Sequence, residues 1–219
     1  MIDLYTNRKV IDLYASRRLI KACKILNKNG TKLRRYQKEG VCWMIKQEIS
    51  KFIKGGFLCD EMGLGKTIQI ITLILSRNLA NKTLVVLPSS VLYQWEKEIK
   101  KFAPSLKVLV HHGPKRFKDL QDKRFIQSDV ILTTYGLTIK KNDINTILHK
   151  HVWGRIVLDE CHLIRNPRSG RFKGCKDLRS KIKWGLTGTP IQNYLKDFIT
   201  LFKYLGITNI GNSEEEIRR

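Results

Sequence analysis

The segment from residue 60 to residue 67 constrains the fold of this chain more than any other feature of its sequence. It reads Asp-Glu-Met-Gly-Leu-Gly-Lys-Thr, after the apolar run Phe57–Cys59 and before a largely apolar stretch, 66–79. In a strand–loop–helix unit, such glycines let the backbone approach phosphate groups, and the N-terminus of the helix faces the anion. The segment therefore predicts a phosphate-binding loop for a nucleoside triphosphate.

Each residue of the loop has an expected place at the nucleotide. Lys66 would meet the β- and γ-phosphates, and Thr67 would offer its hydroxyl to Mg²⁺. The generic loop has glycine where this chain has Asp60, so the match is to the Gly-x-Gly-Lys-Thr half. The residues predicted to contact nucleotide here are Asp60, Glu61, Met62, Gly63, Leu64, Gly65, Lys66 and Thr67.

Short apolar runs alternate with amphipathic stretches from Leu33 onward. This alternation is typical of a parallel sheet with crossover helices, so we predict a three-layer α/β fold with helices on both faces. A basic, helical extension is expected over 1–30, a nucleotide-binding domain over 31–208, and the start of a truncated or frayed helix over 209–219. Beyond the strand at 57–59, strands are predicted at 83–87, 106–110, 130–133, 156–159 and 184–186, and helices at 66–79, 91–102 and up to Gly206.

Two adjacent carboxylates follow the apolar run Ile156–Leu158. Because ligands bind at the carboxyl ends of strands in open α/β sheets, Asp159 and Glu160 would face the phosphate-binding loop. We predict that Asp159 holds Mg²⁺, directly or through water, and that Glu160 orients or deprotonates the attacking water. With Lys66 they form the predicted catalytic set. An isolated Asp-Glu pair would be a solvated acidic turn, but the preceding strand and the upstream loop favour catalysis.

A third segment, 186–193, ends a predicted strand in small hydroxyl residues, a glycine and a proline. Thr187 and Thr189 can hydrogen-bond the acidic pair and report the state of the γ-phosphate. Alone, this is a common strand-to-turn sequence with a structural role as the alternative. The residues predicted to couple the two segments are His162, Thr187, Gly188, Thr189 and Gln192.

The net charge points to a polyanionic partner. The chain has 42 Lys and Arg against 19 Asp and Glu, a formal charge of +23. Such a balance favours nucleic acid, and the alternative is a solubilising surface without a partner. The five cysteines show no Cys-x-x-Cys spacing, so neither structural zinc nor a disulfide framework is expected. We expect a reduced intracellular compartment, with no membrane span and no signal peptide.

The ordered motifs resemble the first motor lobe of the Swi/Snf-type ATPases of helicase superfamily two, a RecA-like domain. This family has Asp at the position of Asp60, so the irregular first residue supports the resemblance. The segment from Asp159 to Pro167 is most similar to the branch of the helicase-like transcription factor and its fungal repair relatives. The motifs that carry the resemblance are Leu33–Gln37, Asp60–Thr67, Leu87–Ser89 with Gln94–Trp95, Thr133–Gly136, Asp159–His162 and Leu186–Asn193.

The resemblance implies further roles. Gln37, with Arg34 nearby, would read the adenine edge, since an amide both donates and accepts hydrogen bonds. Strand-end hydroxyls and backbone amides would grip DNA phosphates without reading sequence. Trp95 is interpreted as a core residue because of its helical spacing with Leu92 and Ile99. The residues expected to contact nucleic acid are Pro88, Ser89, Ser90, Thr133, Thr134, Tyr135, Arg165 and Asn166.

A motor of this family needs a second lobe, which supplies arginines to the γ-phosphate and a second grip on DNA. Without such arginines we expect ATP binding with very slow hydrolysis. The predicted function is the ATP-binding lobe of a DNA-dependent translocase acting on double-stranded DNA, in the nucleus or another site of DNA processing. The alternatives are a lobe of a strand-separating DNA or RNA helicase and a non-catalytic nucleic-acid-binding remnant.

Overall fold

The computed structural model describes residues 8–51, 53–76, 79–114, 116–142, 144–189 and 195–207. Predictions for Gln192 and the segment 209–219 fall outside these ranges. Within the part of the chain that the structure describes, no helix combines the length and the apolar character needed to cross a bilayer.

Among the described residues, six strands form one parallel sheet. In spatial order they are β1, β8, β6, β2, β4 and β3. This arrangement confirms the predicted α/β fold with a parallel central sheet. The strands are β1 (Lys54–Leu58), β2 (Thr83–Leu87), β3 (Val108–His111), β4 (Val130–Thr134), β6 (Arg155–Asp159) and β8 (Ile182–Leu186), with a small second sheet of β5 (Val152–Trp153) and β7 (Arg179–Ser180).

Helices cover both faces of the sheet. The first face carries α1 (Arg8–Lys28), α2 (Arg35–Glu48), α3 (Lys66–Ser76) and α4 (Leu92–Phe102). The second face carries α5 (Lys123–Gln127), α6 (Ile147–Lys150), α7 (Gly170–Asp177) and α8 (Leu195–Leu205). The predicted N-terminal helix corresponds to α1, which packs on α2 and α3. The division of the chain at residue 30 stays a prediction.

Strand periodicity builds the two halves of the core. Successive side chains of a strand point to opposite faces of its sheet. In β2, Val85 and Leu87 join the cluster of the first face, while Leu84 and Val86 join that of the second. All five residues of β2 are buried, as expected for a strand inside a parallel sheet covered on both sides.

Several predicted boundaries shift. The strand before the phosphate-binding loop is longer than predicted, because it begins at Lys54, and it ends at Leu58 with Cys59 exposed outside it. The strand predicted at 106–110 begins at Val108, two residues late. The helix predicted over 66–79 is observed over Lys66–Ser76, and Leu79 lies outside it.

A buried ion pair ties α2 to the sheet. The guanidinium of Arg155 contacts the carboxylate of Glu48 through Nε, and its Nη2 donates to Oε2 at 2.7 Å. The indole Nε1 of Trp184 donates to the same carboxylate at 3.1 Å, and Thr83 accepts from Arg155 at 3.2 Å. Both charged side chains are fully buried, and their multiple partners satisfy the hydrogen-bonding needs that burial creates.

Candidate nucleotide-binding site

The phosphate-binding loop joins β1 to α3, so it lies at the carboxyl end of the sheet. Gly63 and Gly65 have φ of +83° and +80°, in the left-handed region that glycine enters without a Cβ penalty. A Cβ on Gly65 would also stand 2.6 Å from Nε2 of Gln37, so that amide would have to move. Helix α3 begins at Lys66, which gives the loop the helix N-terminus that favours a bound anion.

Lys66 lies across its own loop. Its Nζ donates to the backbone oxygens of Asp60 at 2.7 Å and Glu61 at 3.1 Å. Phosphate oxygens carry full negative charge and form stronger hydrogen bonds with an ammonium than these carbonyls do. The ammonium is therefore already held at the loop, with partners that a triphosphate can replace.

The side chain of Asp60 has a structural role in the loop. Its Oδ2 accepts a 2.7 Å hydrogen bond from Nε2 of Gln69, a fully buried residue of α3. The carboxylate thus connects the start of the loop to the helix that follows it. Gln69 was not among the predicted site residues, although an amide within an apolar helix is itself a signal that a polar partner is nearby.

Gln37 packs directly against the loop. Its Nε2 donates to the backbone oxygen of Leu64 at 3.1 Å, and its Oε1 accepts from the backbone nitrogen of Arg34 at 2.9 Å. The hydroxyl of Tyr36 donates to the same Leu64 oxygen at 3.2 Å. The predicted adenine-reading amide therefore lies beside the loop, with one of its N–H donors and its oxygen engaged inside the protein.

Asp159 ends β6 and is held by three donors. Its Oδ2 accepts from Nε1 of Trp95 at 2.8 Å, and its Oδ1 accepts from the backbone nitrogen of Glu160 at 3.1 Å. The hydroxyl of Tyr135 donates to its backbone oxygen at 2.6 Å. Burial raises the pKa of Asp159 to about 6, against the opposing hydrogen bond from Trp95 and the charge of Lys66.

Glu160 has an unusual backbone. Its φ of +50° and ψ of +52° lie in the left-handed region, which non-glycine residues seldom occupy and which is enriched at functional sites. Its Oε2 is buried and accepts no well-aligned hydrogen bond, although Nδ1 of His162 approaches to 3.2 Å. A buried carboxylate oxygen with spare acceptor capacity suits the predicted role toward a water molecule.

Three of the predicted coupling residues, His162, Thr187 and Thr189, form a chain of contacts beside Glu160. Nδ1 of His162 also lies 3.2 Å from Oγ1 of Thr187, and that oxygen accepts from the backbone nitrogen of Thr189 at 3.1 Å. The hydroxyl of Thr187 therefore contacts His162, which corrects the prediction that it bonds the acidic pair directly. A Cβ on Gly188 would lie 3.3 Å from Cγ of Met62, so this turn also touches the phosphate-binding loop.

The predicted DNA-contacting residues at the ends of β2 and β4 divide into two groups. Ser89 and Ser90 are exposed on the 3₁₀-helix Ser89–Val91, and Pro88 precedes them at the end of β2. Thr133, Thr134 and Tyr135 are buried.

The hydroxyl of Thr133 donates to the backbone oxygen of His111 at 3.1 Å, and that of Tyr135 is bound to Asp159. Both hydroxyls therefore have partners inside the protein. The contact of this segment with DNA, which was expected through hydroxyls and backbone amides, stays a prediction. A local sequence pattern of hydroxyl residues does not distinguish inward from outward orientation at a strand end.

Arg165 and Asn166 border an open groove of about 540 Å³ beside His162. Asn166 is exposed, and its Oδ1 accepts from the backbone nitrogen of Arg168 at 2.9 Å. Arg171 lines the same groove. Its cationic lining fits the predicted contact with phosphate groups.

The residues at the loop and the acidic pair fit a magnesium–nucleotide complex. Mg²⁺ prefers oxygen donors and is usually bound by one or two protein groups together with phosphates and water. The hydroxyl of Thr67 and the carboxylate of Asp159 are donors of this kind. A carboxylate has about four lone-pair positions, and the two hydrogen bonds to Asp159 leave capacity for a cation.

The profile of the SNF2-related domain family matches residues 36–215. The chain belongs to this family. An uncharacterized ATP-dependent helicase of Mycoplasma pneumoniae is 35% identical over 194 residues, which are 86% of this chain and 18% of that protein. TATA-binding protein-associated factor mot1 of Schizosaccharomyces pombe is 36% identical over 188 residues, which are 79% of this chain and 9% of that protein.

A solved structure carries the same fold as this SNF2-related domain. The Sulfolobus solfataricus SWI2/SNF2 ATPase core in complex with dsDNA has a TM-score of 0.69 and 35% identity, and the match covers 86% of this chain and 38% of that one. It confirms the predicted RecA-like fold, and the family match confirms the resemblance. The chain spans less than a fifth of the length of the two curated relatives. The branch predicted from residues 159–167 stays a prediction.

Proposed function

We propose that this SNF2-related domain is the ATP-binding first lobe of a DNA-dependent ATPase that translocates on double-stranded DNA. The observation that carries the proposal is the meeting of the phosphate-binding loop and the partly buried acidic pair at one edge of the sheet. Asp159 is near enough to Lys66 for that ammonium to influence its pKa, against the larger effect of burial. A lysine, a hydroxyl and two carboxylates at such an edge are the groups that ATP hydrolysis needs.

Each group has one task in the proposed reaction. Lys66 exchanges the carbonyls of Asp60 and Glu61 for the β- and γ-phosphate oxygens. Thr67 and Asp159 hold Mg²⁺, which neutralises charge on the phosphates when bound. Glu160 orients the attacking water, and His162 fixes Glu160 relative to the turn that carries Thr187.

Double-stranded DNA is the proposed polymer substrate. The net charge of +23 favours a polyanion, and the Sulfolobus relative was solved with dsDNA. Ser89, Ser90, Arg165 and Asn166 are the proposed contacts in this chain, because they lie at the surface or line an open groove. A second lobe, in the same or another polypeptide, would complete the γ-phosphate site with arginines. Such arginines raise phosphoryl-transfer rates by about 10³–10⁵-fold in other systems, so we expect slow hydrolysis by this lobe alone.

Nucleotide binding by the purified chain tests the first part of the proposal. Lys66→Ala should abolish binding of a fluorescent ATP analogue in the presence of Mg²⁺. Lys100→Ala is the matched control, because Lys100 lies at the surface of α4 and pairs with Glu96. Equal binding by wild type and the Lys66 variant would refute the proposed site.

The polymer preference is tested by hydrolysis in the presence of competing nucleic acids. Duplex DNA should stimulate ATP turnover more than single-stranded RNA does. A preference for RNA would support a strand-separating helicase lobe, and nucleic-acid binding without nucleotide binding would support a non-catalytic module.

A further inference from the structure

Trp95 reaches the nucleotide site from inside the core. It lies one turn into α4, its side chain is 2% exposed, and its Nε1 donates to Oδ2 of Asp159 at 2.8 Å. The two residues are 64 positions apart in sequence. An indole N–H can donate but never accept, so this contact favours a carboxylate that faces it with a lone pair.

Tyr135 binds the same residue from the end of β4, which is separated from β6 by β2. It begins the 3₁₀-helix Tyr135–Thr138 after β4, it is 4% exposed, and its hydroxyl donates to the backbone oxygen of Asp159 at 2.6 Å. Strands β2 and β4 are adjacent, and α4 follows β2 after a single 3₁₀ turn. Two neighbouring strand ends therefore each send one buried aromatic donor to Asp159.

These two contacts fix both the backbone and the side chain of Asp159. Tyr135 holds the backbone at the end of β6, and Trp95 holds the carboxylate, whose Oδ1 is also bound by the backbone nitrogen of Glu160. A ligand held in one rotamer binds a cation without first losing conformational freedom, and residues behind metal ligands commonly provide this orientation.

We propose that Trp95 and Tyr135 are positioning residues that hold the Asp159 carboxylate in the orientation that binds Mg²⁺ with the nucleotide. The proposal rests on the proposed function of the site. In this proposal Trp95 makes no contact with the nucleotide. Loss of its hydrogen bond to Asp159 should therefore lower only the part of the nucleotide affinity that depends on Mg²⁺. The affinity for nucleotide without Mg²⁺, which depends on Lys66 and the loop, should be unchanged.

Trp95→Phe tests this assignment, because it removes the indole N–H and keeps an apolar ring. Affinity for a fluorescent ATP analogue would be measured with Mg²⁺ and with EDTA. The ratio of the two affinities should fall roughly tenfold, the loss expected for one hydrogen bond to a charged group. Tyr135→Phe should lower the same ratio through the backbone of Asp159.

Trp153→Phe is the matched control. Trp153 is also 2% exposed, and its Nε1 also donates a buried hydrogen bond, to the backbone oxygen of Leu148 at 2.9 Å. It belongs to the cluster on the second face, whereas Trp95 belongs to the first. The control should lose comparable stability in urea and keep the wild-type ratio of affinities.

A measurement on the wild-type chain does not depend on the folding of any variant. In a ¹⁵N NMR spectrum, the indole N–H signal of Trp95 should shift when Mg²⁺ is added to the nucleotide complex, and that of Trp153 should not. The proposal is overturned if the Trp95 signal stays fixed or if Trp95→Phe and Trp153→Phe have equal affinity ratios. If the wild-type chain did not bind nucleotide through Lys66, the proposed function would be overturned together with the positioning role. If nucleotide binding were normal and only the Mg²⁺ effects were absent, the positioning role alone would be overturned.

Discussion

His111 should make the folded chain sensitive to mild acid. The residue ends β3, it is 2% exposed, and its ring packs against that of Phe117 with centroids 4.1 Å apart and planes tilted by 49°. Burial lowers the pKa of His111 from 6.5 to about 4, and the charges of Arg116 and His112 act in the same direction. Its Nδ1 is buried without a hydrogen-bond partner, so no group stabilises the charged ring at that atom.

The sign follows from proton uptake. Between pH 6.5 and about 4 the unfolded chain binds a proton at His111 that the folded chain does not bind, so stability falls as the pH falls. This interval is about 2.5 pH units at ~1.36 kcal/mol each, which gives a loss of about 3 kcal/mol near pH 4. Folded domains are stable by only about 5–15 kcal/mol, so the loss is a large share of the total.

Urea unfolding between pH 8 and pH 4.5 measures this effect. His111→Leu removes the titrating ring, so the free energy of unfolding should fall less with acid in the variant than in wild type. Both proteins contain the same carboxylates, so the contribution of those groups to the pH dependence cancels when the two curves are subtracted. His112→Leu is the control for the loss of a neighbouring histidine and should keep the steep dependence. Parallel curves for wild type and His111→Leu would refute the reasoning.

Three further predictions concern packing, charge and exposure. Gly185→Ala should lower the free energy of unfolding, measured in urea, by about 1–3 kcal/mol, because a Cβ would stand 2.6 Å from the ring of Phe57 and 2.9 Å from Sγ of Cys161. Arg155→Met should cost about 3–5 kcal/mol, because Glu48 would keep a buried charge without its main partner, and adding Glu48→Leu should recover part of that loss. A thiol reagent should label the exposed Cys59 in the folded chain and leave the buried Cys161, whose pKa burial raises, unmodified until urea unfolds the protein. Mass spectrometry of the labelled peptides would contradict this if both cysteines reacted at the same rate.

Local patterns were sufficient for the backbone of the site. The strand Thr83–Leu87 is observed at its predicted bounds, because a run of apolar residues ends at a proline that cannot continue the ladder. The phosphate-binding loop is likewise defined by residues that are neighbours in sequence. Predictions weakened where a boundary depends on pairing with another strand, as at β3, which begins at Val108 where its partner β4 begins at Val130.

Local patterns could not predict which side chains from distant parts of the sequence contact each other in the fold. Helical spacing correctly placed Trp95 in the core, and a buried indole N–H requires an acceptor. The identity of that acceptor depends on how the first turn of α4 lies relative to the end of β6. The same limit applies to Tyr135, whose hydroxyl donates to the backbone oxygen of Asp159, a partner that the sequence did not indicate.

The charged groups at the two ends of β6 differ in how fully their burial is compensated by hydrogen bonds and ion pairs. At the amino end, Arg155 pairs with Glu48, and Trp184 donates to the same carboxylate, so that each buried charge has several partners. At the carboxyl end, Asp159 accepts from Trp95 and from one backbone nitrogen, and its pKa is raised to about 6 because these contacts do not offset its burial. A carboxylate whose partners were complete would have little left to offer a cation. The incomplete compensation of Asp159 is therefore what a metal-binding group requires, whereas the pair at the other end of the strand stabilises the fold.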